Sequence, residues 1–463
     1  METWDVAIVG GGILGTSLAF WLANRYQGRI AVLERERKVA QHGSRRNTGV
    51  IHRPFYLDPE KRRVFARSAQ AAYGMWKSYA PARGLPFSPV GTLEVATEEW
   101  MVHKVETYYK WGQKNGMAPE ELAVLGAQDV RRLEPNVECF GAIWSKTDTA
   151  VDYEAYTSAL REDAERQGAV FLMGVGVESV EANGDMLDVH VEPAAAPDGS
   201  VYMDSRERVR AAPDWAREPV RARFLINAAG GNAIDIAHML GVGPEYTDLH
   251  FRGEYWTVNP EYHYLARRNV YSVAKHPDLP FLDPHWIVRA SGRVEIGPNA
   301  VPITGPHTYH GFFEDPADVP KKFFEKPVWN KVAVLFNPDF MTLATQEWAS
   351  SISKTVMAGR VRKFLPALRT DYLDGPGTAG VRSNVLDREG NFLKEAVELD
   401  GPHSYHIINY NSPGATGAPA FGAWVVKNLG WKGHLDHLKK KDAPSTKPWD
   451  FDAVVKSIEA PDW

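Results

Sequence analysis

Near the amino terminus an apolar run, Asp5-Val6-Ala7-Ile8-Val9, breaks into Gly10-Gly11-Gly12. Apolar residues then recur at helical spacing, at Leu14, Leu18, Trp21 and Leu22. The spacing Gly10-x-Gly12-x-x-Gly15 fits a dinucleotide fingerprint. Gly10 permits the tight turn, Gly12 lets backbone approach a pyrophosphate, and Gly15 lets helix and strand pack closely. Ile13 and Leu14 stand at the helix start, where free N–H groups face an anion. A second apolar strand at 29–33 ends in Glu34, at the position where a carboxylate accepts ribose hydroxyls. The unit predicted is strand–helix–strand, with both ends of a dinucleotide addressed.

A chain of 463 residues exceeds one ordinary core, so two or more domains are expected. The net charge of -5 gives no footprint for nucleic acid. A single cysteine, Cys139, excludes an internal disulfide framework and any cysteine cluster for zinc or iron–sulfur, and no metal site is expected. No run reaches the roughly 18 apolar residues of a membrane span. The fingerprint begins at Trp4, so no signal or transit peptide is expected and the expected location is the cytoplasm.

After Glu34 comes a basic loop with Arg35, Arg37 and Lys38, then His42-Gly43-Ser44-Arg45-Arg46-Asn47-Thr48-Gly49-Val50. Small residues beside arginines suit a loop lying along phosphates; a solvated basic loop is the alternative. A helix is predicted from Asp58 as N-cap, with Pro59 at its first position. A strand at 91–96, helices at 98–115 and 127–133, and a strand at 139–144 read as part of a second, substrate-facing domain. Asp152 caps another helix, and strands follow at 170–172 and at 177–180, which opens with Val177. The stretch 193–219 has no core pattern and reads as a surface hairpin insertion. The strand at 222–228 ends in Ala229-Gly230, small residues that would pass close to a cofactor. From 249 the pattern is β-rich, with a hairpin around Ser291-Gly292; between 312 and 368 it is helical. A return to the first domain is predicted near Thr378–Arg382. Asn411-Ser412-Pro413-Gly414-Ala415-Thr416-Gly417 then opens a helix whose N–H groups could face a second part of the cofactor. The tail beyond 431 is either docked or solvated.

In this order the segments resemble the D-amino-acid-oxidase-type family of FAD oxidoreductases, and within it the L-2-hydroxyglutarate dehydrogenases and oxidases. The matches include the glycine motif, Asn47-Thr48-Gly49-Val50-Ile51-His52, Gly91-Thr92-Leu93-Glu94-Val95-Ala96-Thr97 and Val151-Asp152-Tyr153. Further matches are Phe251-Arg252-Gly253-Glu254-Tyr255, Pro280-Phe281-Leu282 with His285, Gly297-Pro298-Asn299-Ala300-Val301, Gly380-Val381-Arg382, and Asn411-Ser412-Pro413 with Ala415-Thr416. The resemblance implies an α/β fold: a discontinuous Rossmann-like FAD-binding domain (1–84, 145–245 and 375–435) and a second α+β substrate domain on a mixed or antiparallel sheet (85–144 and 246–374). The tail is 436–463. It implies elongated FAD and hydride removal from the α-carbon of a 2-hydroxy acid. His52 would lie near the isoalloxazine, Tyr255, His285 and Arg382 near the substrate, and Gly414 to Gly417 at the flavin end. The chain departs from the family where Gly-His-Asn-Ser-Gly-Val-Ile-His is usual, having Arg45-Arg46-Asn47-Thr48-Gly49-Val50-Ile51-His52-Arg53-Pro54. Loss of the histidine at Arg46 implies noncovalent FAD, and Arg53 adds bulk and charge beside the pocket.

Oxidising a 2-hydroxy acid needs a carboxylate anchor and a base for the hydroxyl proton, with the flavin near the α-carbon. Arginine suits the anchor through its bidentate fork; Arg382 is the first choice, with Arg53 and Arg46 as further candidates. Histidine suits the base because its pKa, about 6.5, lies near operating pH; His285 is favoured over His52. Tyr255 would orient the hydroxyl. The expected partner is a small anionic substrate, and oxygen, a quinone or a carrier protein are all open as electron acceptor. A quinone would bring the protein to the inner face of a membrane. Two competing readings are an amine or amino-acid oxidase of the same fold and a flavin-binding redox protein without turnover.

Overall fold

The computed structural model describes residues 3–193, 218–275, 283–311, 320, 324–325 and 327–460. The predicted insertion lies, for 194–217, outside the described residues, as does Pro280-Phe281-Leu282.

The Thr3–Val9 strand pairs in parallel with Ile30–Glu34 on one side and Val220–Asn227 on the other. Ala169–Met173 extends this eight-stranded sheet beyond Ile30–Glu34, and Ser404–Asn409 lies parallel to Val220–Asn227. Its parallel core strands are apolar on both faces, as covering on both sides demands. Val6, Ile8, Ile30 and Val32 enter one core with the helices Ile13–Arg25, Tyr153–Arg166 and Gly414–Trp431. Ala7, Val9, Ala31 and Leu33 enter the other, closed by the antiparallel pair Val175–Asn183 and Met186–Pro193. The second of these was not legible as a strand beforehand, although Leu187, Val189 and Val191 alternate inward. At the C-terminal edge of Thr3–Val9, Gly10 turns at φ +105°, where a Cβ would sit 2.5 Å from the Ala228 carbonyl oxygen. A Cβ on Gly15 would collide with the Gly10 carbonyl oxygen. Strand, turn and helix therefore fit only with glycine at both positions.

The long helix spans Arg63–Ala82 and does not begin at Asp58. Asp58 instead accepts from the N–H groups of Glu60 and Lys61 at 2.9 and 3.0 Å, closing a separate turn. Asp152 does cap Tyr153–Arg166, accepting from Glu154 and Ala155 N–H.

Among the described residues the second sheet has nine strands. Asn269–Ser272 runs parallel to Thr92–Ala96, while the pairings of Gly141–Ser145, Leu122–Gly126, His285–Val288 and Val294–Gly297 are antiparallel. Its longest pairing joins Thr247–Val258 to Leu373–Leu386, from Thr247↔Leu386 to Val258↔Leu373. Thr378 to Arg382 thus belongs to the second sheet, and the chain regains the first only at Val397–Gly401 and Ser404–Asn409. Gly375, Pro376, Gly377 and Gly380 interrupt the alternation that would have revealed this strand. Gly380 has a reason to be there, since a Cβ would collide with the Arg46 carbonyl oxygen.

The region predicted as helical contains Val328–Leu335, Pro338–Ile352 and Lys354–Val361. The tail is docked: Trp449 donates from Nε1 to Met75 O at 3.1 Å, and Phe451, Val454, Val455 and Ile458 of Phe451–Glu459 complete the first core. Among the described residues no helix is long and apolar enough to cross a membrane.

Candidate active site

Between the two sheets runs one cavity of about 1060 Å³, extending from the Gly10 turn to Thr416. That is the top of the size range for ligand pockets.

At the turn end, Gly10, Gly12, Ile13 and Leu14 line the cavity, and the helix they open has no side-chain cap from Gly12. Ser44 Oγ accepts from Ile13 N–H at 3.0 Å. Glu34 lies here but also braces the turn, accepting from Gly11 N–H at 2.6 Å and from Glu36 N–H at 2.7 Å. Burial raises its pKa against the pull of those two bonds. Arg35, Val177, Ala229 and Gly230 complete this end, Arg35 Nη1 standing 2.6 Å from His307 Nε2. His307, with Tyr309, reaches across from the second domain and was not foreseen. Tyr309 OH is 2.6 Å from His42 Nδ1, and His42 Nε2 is 2.7 Å from Glu36 Oε1.

At the far end, Pro413, Gly414, Ala415 and Thr416 line the cavity where Gly414–Trp431 begins, again without a side-chain cap. Thr416 joins three segments: its Oγ1 accepts from His52 N–H at 3.1 Å and meets Tyr153 OH at 3.0 Å, and its carbonyl accepts from Trp76 Nε1 at 2.9 Å. Asn47, Thr48, Val50 and His52 follow along the wall. His52 Nδ1 is 3.4 Å from Asp148 Oδ2, and Nε2 is 3.3 Å from Thr48 Oγ1. Asp148, also unforeseen, is fully buried and accepts from Ser145 Oγ (2.6 Å), Thr92 Oγ1 (2.9 Å) and Arg53 N–H (3.2 Å).

His285 stacks on Tyr271 with ring centres 4.0 Å apart. Its Nδ1 is buried without a hydrogen-bond partner among the described residues, as are the hydroxyls of Tyr271 and Tyr410. Burial, then the nearby His52 and Arg382, push the His285 pKa down to about 3, so the ring is neutral at pH 7. Burial pushes the Tyr255 hydroxyl up to about 12, with Arg289 4.9 Å over its ring. Arg382 lines the same space, desolvated enough to lower its pKa, and has no carboxylate partner among the described residues.

Three predicted site residues do not line the cavity. Gly15 serves helix packing. Gly49 serves a turn at φ +67°, its Cβ direction facing Val151 O at 3.0 Å. Arg53 corrects the sequence reading more sharply. It is 1% exposed, forks onto Glu121 at 2.5 and 3.1 Å, donates to Thr147 and Gln70, and stacks on Tyr73 at 3.9 Å. Its charge is already paired, so it is no free anchor. Arg46 does line the cavity, but its guanidinium stacks on Tyr309 at 4.1 Å and donates to Gln41 O, facing the turn end.

These features fit FAD. Two helix starts whose N-cap residues give no side-chain bond open into one elongated cavity, glycine backbone lines the approach, and Tyr271, His285 and Tyr410, which line it, carry polar atoms unpartnered among the described residues. Comparison agrees. The pattern of the DAO family, FAD dependent oxidoreductases, matches residues 5–428. The mitochondrial L-2-hydroxyglutarate dehydrogenase of Homo sapiens is 28% identical over 447 residues, covering 92% of this chain and 89% of that one. The L-2-hydroxyglutarate dehydrogenase of Salmonella houtenae is 28% identical over 430 residues, covering 92% and 93%. Among solved structures, L-alpha-glycerophosphate oxidase from Mycoplasma pneumoniae with FAD bound superposes with a TM-score of 0.69 at 21% identity, covering 97% of this chain and 100% of that one. Glycine oxidase from Geobacillus kaustophilus gives 0.63 at 14% identity, covering 97% and 99%. Those two likenesses speak for the fold; the family match goes further, and this chain is a member of the DAO family of FAD-dependent oxidoreductases, with FAD as its cofactor.

Proposed function

We propose that the protein oxidises a small 2-hydroxy acid to the 2-oxo acid, with FAD held noncovalently. The observation that carries this reading is Arg382, a desolvated guanidinium facing the cavity without a carboxylate partner among the described residues. A substrate carboxylate would supply that partner in bidentate form. FAD supplies the acceptor for the α-hydrogen and its two electrons.

The chain's own residues divide the remaining work. Arg382 fixes the carboxylate, and Tyr255 beside it orients the hydroxyl. His52 takes the hydroxyl proton, because Asp148 at 3.4 Å stabilises the imidazolium that forms. This reverses the order of preference drawn from sequence. His285 is held neutral and is a weak base, so its unpartnered Nδ1 serves as a hydrogen-bonding group for the substrate.

L-2-hydroxyglutarate, printed in the names of the relatives, is the first substrate to try. The purified holoenzyme is mixed anaerobically with 2-hydroxy acids and, separately, with amino acids while the visible absorbance of oxidised flavin is followed. Bleaching by a hydroxy acid is expected. Bleaching by amino acids alone would replace this reading with an amine oxidase, and bleaching by neither would leave a redox protein without turnover.

A further inference from the structure

Glu94 is a carboxyl on the cavity wall that the reaction above does not use. In Thr92–Ala96, Leu93 and Val95 enter the core of the second domain, so Thr92 and Glu94 share the opposite face. Glu94 stands in register with Tyr271 of the neighbouring parallel strand, the residue that stacks on His285. It is 7% exposed, and its carboxyl has no hydrogen-bond partner among the described residues. Lys104, the cation that bears on it, donates to Ala274 O at 3.0 Å.

Two acids thus sit close together on one face. Asp148 bonds to Thr92, and Glu94 lies two residues along the strand, about 7 Å away. Like charges in a desolvated site do not both ionise. Asp148 accepts from three donors; Glu94 accepts from none among the described residues. Burial first, then the Asp148 charge, push the Glu94 carboxyl up to about 8, so it stands protonated and can donate a hydrogen bond. Tyr56, Glu94 and Arg382 line the same cavity, and the buried Tyr56 hydroxyl lies within electrostatic reach of both Glu94 and Arg382. The other nearby arginine, Arg62, is 3.4 Å from Glu395 and does not line the cavity.

We propose that Glu94, Tyr271 and Tyr56 form the subsite for the substrate's side chain, and that it takes an uncharged hydrogen-bonding group, an amide or hydroxyl, in place of a second carboxylate. The anchor end offers a cation; among the described residues no lysine or arginine of this strand pair lines the wall beside Glu94, so a carboxylate there would be desolvated without one. The inference rests on the 2-hydroxy-acid reading for its substrate class and on the cavity wall for its selectivity.

The test uses the FAD-loaded protein and two isosteric ligand pairs. One pair is L-2-hydroxyglutarate and its 5-amide, compared by kcat/KM for anaerobic flavin reduction. The other is 2-oxoglutarate and its 5-amide, compared by Kd from perturbation of the flavin spectrum, which needs no turnover. Wild type is expected to favour the amide about tenfold or more in both assays. Glu94→Gln, still an uncharged hydrogen-bonding group, is expected to keep the preference, and Glu94→Leu to lose it through KM and Kd. Flavin content and melting temperature show that each variant is folded. A preference for the dicarboxylate, or an amide preference that survives in Glu94→Leu, would overturn the subsite. If neither hydroxy acid bleaches the flavin, the reaction reading fails, while the Kd pair still decides the subsite.

Discussion

At the turn end of the cavity, the lining is the main chain of Gly10, Gly12, Ile13 and Leu14, delivered by one contiguous run, with Ser44 Oγ on the Ile13 N–H. At the Arg382 end it is side chains: His52 from a loop after Val50–Ile51, Glu94, Tyr271 and His285 from three strands of the second sheet, and Arg382 from Leu373–Leu386. The first end can be written into a dozen neighbouring residues because helix-start amides need only glycine and spacing. The second exists only once distant strands have paired. On the proposed function, the contrast teaches that nucleotide binding depends on backbone shape and substrate choice on single side chains.

The comparison breaks most visibly at Gly15. Gly15→Ala places a methyl against the Gly10 carbonyl oxygen, so the turn must open. Overpacking of this kind costs roughly 1–3 kcal/mol or more, and the expected result is protein purified without flavin absorbance. At the other end Arg382→Met is expected to keep full flavin content but lower kcat/KM for the 2-hydroxy acid about 100-fold, roughly 3 kcal/mol, chiefly through KM. A third variant separates the two kinds of arginine. Arg53→Met leaves Glu121 with an unpaired charge and is expected to lower stability by about 3 kcal/mol in denaturant unfolding, with KM near the wild-type value.

How much of this was legible in the sequence follows the same divide. Gly10, Gly12, Gly15 and Glu34 announced themselves by spacing, and the uncapped start at Gly414 by its small residues. Arg382 and His285 were named through resemblance, but nothing in the spacing said that they would share a wall with Glu94. Asp148 gave no signal, since its role depends on Thr92, Ser145 and Arg53 converging on it through tertiary structure. Arg53 was misjudged for a related reason: its partner Glu121 lies far along the chain, so its charge looked free. The Leu373–Leu386 strand was missed because its glycines, of which Gly380 makes room for the Arg46 main chain, erase the period that marks a strand.

The smallest expected effects are on pH dependence, and they have opposite signs for the two perturbed groups. The folded-state pKa of Glu94 is raised from 4.5 to about 8, so its contribution to stability is fully present below 4.5 and is lost as pH rises through 8. That of His285 is lowered from 6.5 to about 3, so its contribution is present above 6.5 and is lost as pH falls toward 3. Melting temperature measured against pH should therefore sag on both sides. Glu94→Gln should flatten the alkaline side alone, and His285→Asn the acid side alone.

The central claim is that Arg382 anchors the carboxylate of a 2-hydroxy acid beside the flavin. Anaerobic stopped-flow reduction of the holoenzyme by a 2-hydroxy acid, wild type against Arg382→Met, tests it most directly. The account predicts rapid bleaching in the wild type, with a dissociation constant raised about 100-fold in the variant at unchanged flavin content. Bleaching only by amino acids, or equal substrate affinity in both proteins, would contradict it.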